Sequence, residues 1–168
     1  GFPDLVREEK KNFVDYYGVE STYWISASAD NRQLIRASLK NYINELASYH
    51  HALAQSQSKT LTNNTRRVGL EKPAVTTVAD TQPTITQATV TKTLVTANYR
   101  QAGDWYQTWI TSFPEDPELA ETWFLLGETR FESADFKQAV EAYEKAAYDY
   151  LLDTQVASKD LDQAEGTS

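Results

Sequence analysis

The sequence predicts an all-α fold, on three observations. Residues 120–151 place large and small apolar side chains at the spacing of two short antiparallel helices. Residues 30–55 carry an apolar stripe in alternating four-three steps, the period of one helix face. The few alternating stretches, Thr84-Ile85-Thr86 and Ala88-Thr89-Val90-Thr91, are isolated and have no sheet to join.

In chain order, Pro3 to Tyr17 reads as a helix, with Pro3 in the first turn, Asp4 near the positive end of the helix dipole and Gly18 as the stop. Leu5, Val6, Phe13, Tyr16 and Tyr17 give it an apolar side. Residues 19–25 are too aromatic for an idle loop and are expected to pack onto their neighbours. Asp30 with Gln33 resembles a capping box, and Ile35, Leu39, Tyr42, Leu46, Tyr49 and Leu53 follow as a stripe. It is sustained for fewer than three heptads, so it predicts packing against another helix of the same protein rather than a free coiled coil. Residues 1–55 thus form an N-terminal helical unit.

From 56 to 92 the composition shifts to Ser, Thr, Gln and Asn with scattered Val, and Pro73 and Pro83 interrupt it. By composition this is an irregular Thr/Ser-rich linker. Trp105 and Trp109 then stand four apart on one face of a helix that ends at Pro114-Glu115-Asp116-Pro117. That helix is expected to pack under Trp123. In the next pair, Gly127 and Ala139 are small enough for two helices to cross closely, while Trp123, Leu126, Phe136 and Tyr143 fill the space beside the crossing and Ala146 leaves room for a further helix.

Trp123, Leu126, Gly127, Phe136, Ala139, Tyr143 and Ala146 sit where the tetratricopeptide repeat (TPR) family has its Trp, Leu, Gly, aromatic, Ala, aromatic and Ala, so residues 120–151 resemble one well-formed repeat of that family. Arg130 and Leu151 depart from it, standing where an aromatic and a helix-ending Pro are usual. Counting back by about 34 residues puts Trp105, Trp109, Ser112 and Pro117 in register but Thr93 where a Gly belongs, a degenerate repeat over 93–117. The implied architecture is a TPR-like α-solenoid fragment, with 152–168 a polar tail or the start of a next repeat. The Phe113 to Glu121 segment, the Tyr-rich end of the repeat, and Phe13 to Gly18 with Ser21 to Trp24 are similar to long TPR proteins of the Gram-negative cell envelope. That resemblance implies a scaffold that assembles a multi-protein complex, with a periplasmic or envelope location.

The resemblance further implies a concave groove lined by Glu121, Phe124, Glu128 and Glu132, with Phe131 beside them. The groove would be acidic with two aromatic anchors. Members that clamp a peptide carboxylate use Lys, Arg and Asn at such places; none is present here, so a basic or apolar peptide is the expected partner. The alternative is that Phe124 and Phe131 pack on a neighbouring repeat.

Composition excludes other classes. The 168-residue chain has formal net charge −8; residues 1–113 roughly balance, whereas 114 onward has fourteen Asp and Glu against four Lys and Arg. That acidity argues against nucleic acid as partner. It reads either as a solvated surface or as a docking face. Cysteine is absent, so neither disulfides nor thiolate metal sites are possible. With no methionine either, the chain is expected to be a processed form or a piece of a longer protein. No apolar run is long enough for a transmembrane helix.

No catalytic constellation, metal or cofactor is expected. His50-His51 lacks a ligand at the four-residue spacing of a zinc helix, since Ala54 and Gln55 stand there. His50 is expected beside the packing stripe and His51 in water. Ser56-Gln57-Ser58-Lys59 matches Ser-x-x-Lys without its companion motifs, and Asn63-Asn64-Thr65 is an acceptor triplet only in a secreted eukaryotic chain. Glu8-Glu9 and Glu115-Asp116 serve helix ends, and Arg66-Arg67 is a basic point in the linker. The expected function is protein–protein interaction; alternatives are a structural subunit wrapping a larger assembly and a non-catalytic part of an enzyme.

Overall fold

In the computed structural model, which describes residues 1–70 and 82–148, every regular element is a helix: α1 (Phe2–Tyr17), α2 (Thr22–Ser26), α3 (Ala29–Leu70), α4 (Gln82–Ser112), α5 (Leu119–Glu132) and α6 (136–148). Ser28, not Asp30, starts α3, its hydroxyl accepting the Asn31 amide at 3.3 Å. Ser21 caps α2 by accepting the Trp24 amide at 3.1 Å. This short helix turns Trp24 onto the core, where Arg32 donates to its carbonyl at 2.9 Å.

α1 runs antiparallel to α3, since Lys10 pairs with Glu45, the Arg7 guanidinium lies 3.9 Å from the Tyr49 ring centroid and Phe13 meets Tyr42 edge-on at 5.1 Å. Val14 enters the core while Leu5 and Tyr16, expected on the apolar side of α1, are exposed. α3 in turn runs antiparallel to α4: Lys40 reaches Asp116, His51 reaches Tyr106, and Gln57 accepts from Asn98. Contact on two sides explains why the buried face of α3 is wider than the stripe. Leu39, Ile43, Leu46, Ala47 and Ala54 are buried, and Tyr42 and Tyr49 are left to face α1.

The region expected to be an irregular linker is largely helix. Residues 56–70 continue α3 and 82–92 begin α4; residues 71–81, including Pro73, lie outside the described residues. Pro83 sits in the first turn of α4, where its missing amide costs nothing. Ser and Thr have modest helix propensity because their hydroxyls compete for the backbone. Here Thr60, Thr62 and Thr93 donate to the carbonyls four residues back and keep the ladder intact.

The expected degenerate repeat over 93–117 is not a helix pair. Residues 93–112 belong to one helix whose antiparallel partner is α3, and Thr93 is exposed. Its aromatic part is as expected, with Trp105, Trp109, Ile110 and Phe113 buried and Trp123 packed against them. The small residue at the α4–α5 crossing is Gly103, where a Cβ would lie 3.0 Å from Thr129 Oγ1. The break at Pro114-Glu115-Asp116-Pro117 is pinned to α3 by Lys40, 2.9 Å from Asp116 and 3.3 Å from Glu118. Burial alone would raise the Asp116 carboxyl, but the Lys40 hydrogen bond, the Glu118 backbone amide and the charges of Lys40 and Arg36 together outweigh it and hold the group below the usual range.

α5 and α6 are antiparallel across Gly127, where a Cβ would fall 2.6 Å from the Tyr143 ring. Ala139 and Ala142 are buried and Ala146 is partly so. The turn between them carries the left-handed residue Ala134 (φ 65°), with Ala134 donating to the Phe131 carbonyl and Asp135 to that of Arg130, a paired C-terminal closure usually built on Gly. Gly127→Ala should therefore cost about 1–3 kcal/mol by overpacking, whereas Ala134→Gly should add about 1 kcal/mol by relieving left-handed strain. Urea unfolding of both variants should show midpoints moving in opposite directions.

Candidate functional site

Phe124, Glu128 and Phe131 stand at i, i+4 and i+7 and so share one face of α5. Phe136, Val140 and Tyr143 do the same on α6. The two stripes meet at both ends: Phe124 lies 5.8 Å from Tyr143 and Phe131 5.4 Å from Phe136, ring to ring. Between them the Tyr143 hydroxyl donates to Glu128 Oε1 at 2.6 Å. The result is one continuous aromatic seam along the α5–α6 hairpin.

Phe124 and Phe131 are neither buried nor free of contact. Each packs one flank, on the sister helix of its own hairpin, and leaves the rest in solvent, at 50% and 53% exposed. Phe136, expected as an internal anchor, is 57% exposed and belongs to this surface, with Val140 at 55%. Glu121 and Glu132 are exposed and Glu128 partly buried.

Arg130 faces the other way. It reaches through the opening left by Gly103 to pair with Asp104 at 2.9 Å, its side chain mostly covered. The carboxylates of the seam are thus not neutralised by their own helix. Tyr143, Phe136 and Val140 were assigned to packing or overlooked in the sequence, although α6 carries a signal. Its Ala139, Ala142 and Ala146 form a small-residue face fit for packing, and the bulky apolar residues lie outside it.

Other features are less suited to recognition. An open cavity of about 780 Å³ is lined by Trp123, Leu126 and Arg130 of α5, Ala142 and Lys145 of α6, and Gln107 of α4; none of the five expected contact residues lines it. His51, expected in water, is buried against α4, with Nδ1 3.2 Å from the Tyr106 hydroxyl and Nε2 3.2 Å from the Gln55 amide. Burial pushes its pKa down, against the pull of the Glu128 carboxylate. His50 is the partly covered one, beside Asn98 at 3.2 Å. Ser56 and Lys59 are both exposed on α3. Among the described residues no cluster of acidic or His side chains could hold a metal ion, and no helix is long and apolar enough to cross a membrane.

No family model, curated protein or solved structure matches the chain. The functional reading therefore rests on the residues themselves.

Burial, reinforced by the hydrogen bond to Glu128, pushes the Tyr143 phenol up from 10.0 to about 12. Because the folded value lies above the unfolded one, the contribution of neutral Tyr143 to stability is complete below pH 10.0 and is lost as pH rises through about 12. The stability advantage of wild type over Tyr143→Phe, measured by urea unfolding at a series of alkaline pH values, should shrink across that window. A pH-independent difference would contradict the contact.

Proposed function

We propose that this chain is a TPR-like protein-interaction module, without catalysis of its own, that presents the α5–α6 seam to a protein or peptide partner during assembly of a multi-protein complex. The observation that carries the reading is the seam itself. Four large apolar side chains, each about half exposed, lie contiguous on one hairpin and are rimmed by uncompensated carboxylates. Exposed apolar residues scattered singly need no explanation; contiguous ones mark contact surfaces. Aromatic anchors inside a polar rim are the usual anatomy of a binding hot spot. The close α5–α6 crossing at Gly127 supports the TPR-like reading, and the envelope location follows from the sequence resemblance alone.

The reading as a structural subunit is favoured by a different observation. Beyond Ala54 on α3 and before Val95 on α4, no described side chain is buried, so among the described residues the far end of this hairpin has no core of its own. Isolated helices are marginal in water, which suits an arm made to lie against something else.

Tagged full-length chain and a Phe124→Glu, Phe131→Glu variant, co-purified in parallel from source extract, test the proposal. The variant should keep its helical circular dichroism and lose a specific partner. An unchanged partner set would favour the structural role.

A further inference from the structure

The arm and the seam have opposite charge. From 55 to 94 the chain has Lys59, Arg66, Arg67, Lys72 and Lys92 against Glu71 and Asp80, the arm segments 55–70 and 82–94 contain no acidic residue, and Arg100 follows at the arm's base. Lys59, Arg66, Lys92 and Arg100 are exposed, and none of the four forms an ion pair among the described residues. The arm also exposes apolar side chains one helical turn apart, Val90 at 53% and Leu94 at 49%. It is therefore a cationic, Thr-rich surface with a small apolar centre. The seam is an anionic surface with a large one.

Within one molecule the seam carboxylates Glu128 and Glu132 act on Tyr99 at the base of the arm, while Leu94 and Val90 lie more than one and more than two turns further along the same helix. α5 is fixed over the Gly103 to Phe113 part of α4 by the Gly103–Thr129 contact and the Arg130–Asp104 pair, and α4 runs on as an unbroken helix into the arm. Reaching its own seam would require α4 to fold back on itself.

We propose that the arm of one copy docks on the α5–α6 seam of a second copy, giving a head-to-tail assembly. This rests on the reading of the seam as a contact surface and names its occupant. Val90 and Leu94 meet Phe124 and Phe131, and the arm cations face Glu121 and Glu132. Because the two surfaces differ, each copy joined head to tail leaves one arm and one seam open, so the contact propagates unless its rotation closes a ring. The arm sets its strength. From Gln55 to Leu70 it is about 24 Å long and about 20 Å wide for two helices, which offers about 500 Å² per partner, at the weak end of specific interfaces. Assembly should be reversible and strongly weakened by salt.

Analytical ultracentrifugation of the full chain over a concentration series, at low salt and at high salt, reads this directly. Wild type should grow in mass with concentration at low salt and revert to monomer at high salt. An arm variant (Lys59→Glu, Arg66→Glu, Lys92→Glu) and a seam variant (Glu121→Lys, Glu132→Lys), each helical by circular dichroism, should be monomers alone. Mixed, they should assemble again if opposite surfaces mate, because the arm of the seam variant meets the seam of the arm variant and the reversed charges match at the other pair of surfaces. Wild type that stays monomeric at all concentrations, or a mixture that stays monomeric, overturns the proposal. So does an arm variant that assembles like wild type. If wild type is monomeric yet its arm binds phosphatidylglycerol vesicles or duplex DNA, the arm belongs to another polyanion and the proposal also falls. The reading of the seam would still stand wherever the Phe124→Glu, Phe131→Glu variant loses its partner from extract.

Discussion

The aromatic ridge of α4 is the constraint on which the rest depends. Trp105, Tyr106, Trp109, Ile110 and Phe113 occupy slightly more than two turns and are all buried, yet no single neighbour covers them. Val14 from α1 and Leu39 and Ile43 from α3 join the same cluster as Leu126 of α5 and Ala142 of α6. Trp109 and Phe113 meet edge-on at 5.5 Å, while the Lys40 amine lies 5.3 Å from the Trp109 ring and the Arg36 guanidinium 5.1 Å from that of Phe113. Fully burying one such ring contributes about 1.5–3 kcal/mol, so the ridge is a large fraction of what a small domain has to spare. Among the described residues it is also where the N-terminal helices and the α5–α6 hairpin share a core.

What the sequence made legible follows from how local each signal is. The extent of α1, the break after Phe113 and the close approach at Gly127 were readable because proline and glycine act on backbone geometry within a few residues, although the group that meets Gly127 is the Tyr143 ring rather than Ala139. The tryptophan pair was readable because so large an apolar surface has few alternatives to burial. The helical character of 56–70 and 82–92 was not readable from composition. A Thr-rich stretch has weak intrinsic preference, and its state was decided by the pairing of two distant segments through Ala54, Val95 and Tyr99. His51 was misplaced for the same reason, since the α3 face it occupies became buried only once α4 was laid against it.

The surface around the five expected contact residues was legible from the sequence only in part. The five expected contact residues do share α5, and their acidity is uncompensated because Arg130 is drawn through the Gly103 opening to Asp104. That diversion depends on a glycine far away in sequence. The contribution of α6, through Tyr143, Phe136 and Val140, required knowing which face of α6 the small residues would take. The same separation of roles divides the charge. Acidic residues concentrate beyond Phe113 and cationic ones along the arm, so the two ends of the molecule meet solvent with opposite sign.

If α4 is the shared spine, damage at its centre must be felt on both sides. Trp109→Ala should cost about 3–5 kcal/mol, and native-state hydrogen exchange on this variant reports each helix separately. The account predicts that amide protection falls together in α3 and in α5 and α6. Wild-type protection retained in either group, with loss confined to the other, would show two independent units and contradict a common core.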